Sequence, residues 1–63
     1  MKKKLRSKQD VNIISTGLKR LRQSDELMMK GKYKEAISFR NYGADLLEQY
    51  TDDAVNEVKK LGL

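Results

Sequence analysis

Acid pairs and hydroxyls are the groups in this chain that could do proton or cation chemistry, and their spacing decides whether they do. Asp45 and Glu48 stand three residues apart, so on a helix they share a face and could hold one cation between them. Asp52 and Asp53 are sequence neighbours, roughly 100° apart on a helix, so they cannot converge on one proton. Both pairs are better suited to simpler work, a solvated face for the first and the first turn of a helix for the second. Six hydroxyls (Ser7, Ser15, Thr16, Ser24, Ser38 and Thr51) lack a base at helical spacing, and the 63 residues include no histidine and no cysteine. A tuned nucleophile or general base, a thiolate metal site and a disulfide therefore have no material to form from. The four glycines are scattered, so there is no phosphate-cradling loop. The expectation is a non-enzymatic protein with no cofactor, no metal and no small-molecule substrate.

Charge is the more informative chemistry. Residues 1–34 contain eleven Lys or Arg and three acids, a net of +8, whereas residues 35–63 contain three and six, a net of −3. Such asymmetry points to a polyanionic partner. A helix reaching back to Lys4 would place Lys4, Lys8, Lys19 and Arg22 on one face, with Asn12 and Ser15 on the same face as hydrogen-bond donors to phosphate. Lys2, Lys3 and Arg6 extend the charge through the N-terminal segment, and Arg20 lies to one side. This set (Lys2, Lys3, Lys4, Arg6, Lys8, Lys19, Arg20 and Arg22) would follow a phosphate backbone of RNA or DNA without reading bases. The competing reading is internal, a basic first helix complementing an acidic second one. Tyr33, Tyr42 and Tyr50 could stack on bases, but they sit in the acidic half, which favours core or interface roles.

The elements that must position these groups are helices. The chain has no proline and is rich in Lys, Arg, Glu, Leu and Met. Residues 1–6 read as a flexible basic tail, and 7–63 as a single helical domain. Ser7 and Asp10 resemble a capping box, so a first helix should run from about Lys8 to Lys30. Its apolar seam is Val11, Ile14, Leu18, Leu21 and Met28, with Asp25 in the gap and Ile13, Leu27 and Met29 widening the stripe. Gly17 and the Ser24-Asp25-Glu26 run leave room for a kink. Gly31 after Lys30 marks a helix end. A second helix then carries Tyr33, Ala36, Ile37, Ala44, Leu47 and Tyr50, with Phe39 and Leu46 at its edges, Arg40 interrupting, and Gly43 allowing close approach of its neighbour. Thr51-Asp52-Asp53 reads as a helix start, so a break near Thr51 would leave a short third helix ending at Lys59-Lys60-Leu61-Gly62. The predicted fold is all-α, an antiparallel hairpin of two long helices turning at Gly31.

Gly31-Lys32-Tyr33-Lys34-Glu35-Ala36-Ile37 resembles the turn of tetratricopeptide and microtubule-interacting helical hairpins, where a Gly-x-Tyr-x-x-Ala-Ile/Leu element joins two antiparallel helices. The resemblance covers seven residues and implies a turn at Gly31. It ends at Arg40, where those families place an aromatic residue. In size and topology the plan is also similar to small plasmid-encoded RNA-binding hairpin dimers.

A chain this short buries only about 60% of its unfolded surface, so it needs a staple. With disulfides and thiolate sites ruled out, a homodimeric bundle is the expected one, paired through Ile13, Leu27, Met28, Met29, Phe39 and Leu46. Met1 to Lys8 looks like the basic end of a signal peptide, but Gln9, Asp10 and Asn12 interrupt the apolar stretch that should follow. No apolar run approaches the ~18 residues of a membrane span, and a cytoplasmic location is expected. The functional expectation is a small regulatory or accessory protein binding nucleic acid through its basic tail and first helix. The alternative is an adaptor, inhibitor or assembly factor that docks an apolar helix face on another protein.

Overall fold

The computed structural model describes residues 1–62; position 63, the end of the expected domain, lies outside them. The described residues form three helices: α1 (Lys8–Met29), α2 (Tyr33–Glu48) and α3 (Asp52–Lys60). Local chemistry sets both ends of α1 and of α3, while α2 begins after Lys32 with no side-chain cap. Ser7 caps α1, its Oγ accepting from the Asp10 N–H at 3.4 Å, while Asp10 Oδ2 accepts from the Arg6 N–H at 3.0 Å. The acid thus reaches one residue further back than in a standard capping box. At the other end Gly31 adopts φ +80°. Its N–H donates to the Met28 carbonyl and the Lys32 N–H to the Leu27 carbonyl, at 3.1 and 2.9 Å. That pair of bonds is a Schellman motif, and it needs a residue tolerant of positive φ at this position. Thr51 caps α3, its Oγ1 accepting from the Ala54 N–H at 3.2 Å, with Asp52 and Asp53 in the first turn and Lys59 and Lys60 in the last.

α1 runs unbroken through Gly17 and Ser24. α2 stops at Glu48, and α3 is a separate helix that packs on α1. The second long helix therefore does not continue through Thr51. Tyr50 sits in the joint, its ring enclosed with Ile14, Ala54 and Val58 in the central core. Leu5, Val11, Ile13, Leu18, Leu47 and Val55 pack around this cluster. Each fully enclosed Ile or Val contributes roughly 1.5–3 kcal/mol relative to exposure.

The line along which α1 and α2 meet differs from the most apolar line. Asp10 meets Tyr50, Gly17 meets Gly43, and Ser24 meets Ala36. The partners move in opposite directions along the chain, as antiparallel helices require, and each step is seven residues, the coiled-coil period. Gly17, Ser24, Ala36 and Gly43 are all buried, whereas of the apolar seam only Ile14 is fully buried, Val11, Leu18 and Leu21 are partly so and Met28 is exposed. The cause is distance. Where both helices present glycine the backbones come closest: a Cβ on Gly43 would lie 2.7 Å from the Gly17 carbonyl oxygen. Around the glycine crossing, residues on the line of nearest approach are buried whatever their polarity, and the larger apolar side chains flank it; Asp10, at one end of the line, is only partly buried. Ser24 is satisfied there by donating its Oγ hydrogen to the Ala36 carbonyl at 2.7 Å. Among the described residues no helix is long and apolar enough to cross a membrane.

Candidate nucleic-acid interface

The N-terminal segment is held at one point. The Lys3 N–H donates to the Gln49 carbonyl at 2.7 Å, and the Thr51 N–H donates to the Lys3 carbonyl at 3.0 Å, forming a short parallel bridge beside Tyr50. Two residues on, Leu5 packs against the core. The segment read from the sequence as a free tail thus crosses the α2–α3 joint. This pairing gathers Met1, Lys2, Lys3, Lys4 and Arg6 around a cleft of about 520 Å³. Among the described residues, Asp10 is the one acid lining it.

Asp10 is already engaged. The Tyr50 hydroxyl donates to its Oδ1 at 2.8 Å, and the Arg6 N–H donates to Oδ2. These bonds, the Tyr50 one foremost, hold the Asp10 carboxyl below the usual carboxylate range against a smaller opposing effect of burial. Tyr50 moves the opposite way. Burial of its phenol raises its pKa, and donation to a negatively charged carboxylate raises it further. The pair ties the first turn of α1 to the joint forty residues later. Charge on the cleft wall is accordingly dominated by the lysines and Arg6.

On α1, Lys8, Asn12, Lys19 and Arg22 are exposed and Ser15 partly so, on the face opposite the seam. From Lys8 to Arg22 this stripe covers about 21 Å of helix, and Glu26 closes it on the same face. Lys2, Lys3, Lys4 and Arg6 are also exposed. Arg20 is different. It is partly buried, its guanidinium carbon lies 5.5 Å from the Phe39 ring centre and 5.9 Å from that of Tyr42, and Nη1 donates to Gln23 Oε1 at 2.7 Å. The sequence placed it beside the basic face; the structure lays it over two aromatic rings of α2.

The apolar residues expected to pair two hairpins divide into two groups. Ile13, Leu27, Phe39 and Leu46 are partly buried within the single chain, with Ile13 packed against the core. Met28 and Met29 are exposed, the latter almost fully, and Tyr33 and Ile37 join them as exposed apolar side chains at the start of α2. Asp45 and Glu48 are exposed on α2, and among the described residues no three His, Cys, Asp or Glu side chains gather as a metal site requires. Sequence reasoning missed the Asp10–Tyr50 bond and the Lys3 bridge, since neither leaves a periodic signal.

Compared with protein-family models, curated proteins and solved structures, the chain matches none.

Proposed function

We propose that the protein is a small non-enzymatic nucleic-acid-binding factor that engages phosphates through its N-terminal segment and the outer face of α1. The observation that supports this most is the collection of Lys2, Lys3, Lys4 and Arg6 around one cleft by the Lys3 bridge, beside a cationic stripe continuing along α1. A solvent-exposed charge run on a free tail could adopt any direction. A run pinned at its third residue offers its cations from one end of the molecule. With four to six phosphates engaged, the affinity for duplex should fall with salt with a log–log slope of about −4 to −5. A titration between ~50 and ~200 mM salt measures it, and a slope near zero, or no complex at ~50 mM, overturns the proposal.

A second reading, a protein-docking or self-pairing role, draws on the turn end. Met28, Met29, Tyr33 and Ile37 leave apolar surface outside. The chain exposes 5012 Å², against about 4,200 Å² for a compact monomer of this mass. A homodimer joined through these four residues would cover that surface. Sedimentation equilibrium distinguishes the cases. A monomer at all concentrations removes the dimer, and loss of self-association in Met29→Ser locates it.

A further inference from the structure

We propose that the groove formed by Arg20, Ser38, Phe39 and Tyr42 is a base-stacking site that makes the preferred ligand a single-stranded nucleic acid; this rests on the phosphate-binding reading above and specifies its substrate class. Phe39 is partly buried and Tyr42 half exposed, so the groove has a fixed floor and an open aromatic wall. Arg20 lies over both rings and is held by Gln23. Its guanidinium is therefore positioned before any ligand arrives, which lowers the ordering cost of binding. An aromatic face next to a fixed guanidinium accepts any base by stacking and cation–π attraction, without reading its identity.

Charge fixes the direction of the strand. Glu35 and Asp45 are exposed on α2, four residues before Phe39 and three after Tyr42, and they would repel phosphates from that side. Lys19 is exposed on α1 beside Arg20 and leads to the outer stripe of Lys8, Asn12 and Arg22. The backbone accordingly runs along α1, with a base turned toward the α2 rings. A duplex keeps its bases stacked on one another and can offer only phosphates here; a single strand can splay one base into the groove.

The test compares a dT oligonucleotide of about twelve nucleotides with a duplex of equal length, using the whole chain and the variants Tyr42→Leu and Leu61→Ala. Leucine at position 42 keeps apolar bulk and removes the π face; Leu61 is an exposed apolar side chain outside the groove. Tyr42→Leu should weaken single-strand binding about five- to 150-fold and leave duplex affinity and both salt slopes unchanged. Leu61→Ala should change neither ligand by more than about twofold. Equal loss for single strand and duplex, or no loss with Tyr42→Leu while both ligands still bind the parent, overturns the stacking site alone. Absence of binding by the parent to both ligands at ~50 mM salt overturns the phosphate reading as well.

Discussion

Gly43→Ala tests the close helix contact on which the fold depends. In an ordinary helix interior this change stabilises by about 1 kcal/mol, because alanine loses less backbone entropy. Here the new Cβ would lie 2.7 Å from the Gly17 carbonyl oxygen, 3.2 Å from Arg20 Cβ and 3.2 Å from Leu21 Cγ. The first neighbour is backbone and cannot rotate away. The two helices must part by roughly half an ångström or more to restore ordinary contact. Gly43 stands midway between Ala36 and Tyr50, so parting at this level also stretches the Ser24–Ala36 bond of 2.7 Å on one side and the Asp10–Tyr50 bond on the other. Overpacking of this kind typically costs about 1–3 kcal/mol, and stretching the Ser24 bond adds up to about 1 kcal/mol. After subtracting the propensity gain, Gly43→Ala should destabilise by up to about 3 kcal/mol, with a central value of about 1.5 kcal/mol that lowers Tm by about 6–12 °C. Gly17→Ala is the internal control. Its Cβ would meet the movable Leu47 side chain at 3.0 Å and the Gly43 carbonyl at 3.1 Å, so strain and propensity should cancel to within about 1 kcal/mol. Thermal and urea unfolding followed by far-UV circular dichroism measures all three proteins. A Gly43→Ala variant as stable as the parent, or more so, would show that α1 and α2 do not approach this closely.

Ser24→Ala leaves a small void and removes the hydroxyl that donates from α1 to the Ala36 carbonyl, so it should cost about 1 kcal/mol in the same unfolding assay; Ser24→Val, adding bulk on the seam, should cost more. Thr51→Ala removes the α3 cap and should destabilise by about 0.5–2 kcal/mol, with amide hydrogen exchange rising first in α3. The Asp10–Tyr50 pair predicts stability falling at both ends of the pH scale. Asp10 titrates lower in the folded chain than in the unfolded one, so its contribution is present above the ordinary carboxylate range and disappears as pH falls through the folded value, below about pH 4. Tyr50 titrates higher when folded, so its contribution is intact below about pH 10 and is lost as pH rises through the folded value. Tyr50→Phe should flatten both arms of the profile relative to the parent, and an unchanged profile would show that the bond is not formed in solution.

Much of the architecture could be read from residue types alone. An all-helical chain, the capped start at Ser7, the turn at Gly31 and the helix start at Thr51 all depend on interactions within about five residues, which composition and spacing encode directly. The cations of the candidate interface were equally visible, because charge and exposure on an amphipathic helix follow from periodicity. Which line of α1 is buried was legible only in part. On α2 the enclosed Ala36, Gly43 and Tyr50 are ones the pattern marks, and on α1 Ile14 of the apolar seam is fully buried; but Val11, Leu18, Leu21 and Met28, the rest of that seam, are less enclosed than Gly17 and Ser24, because nearest backbone approach is a property of two surfaces meeting rather than of either sequence segment. The same holds for Arg20 over Phe39 and Tyr42, for Tyr50 reaching Asp10, and for Lys3 joining the α2–α3 joint. Each joins groups at least nineteen positions apart in the sequence, and their energies depend on distances that only the folded arrangement of the three helices defines.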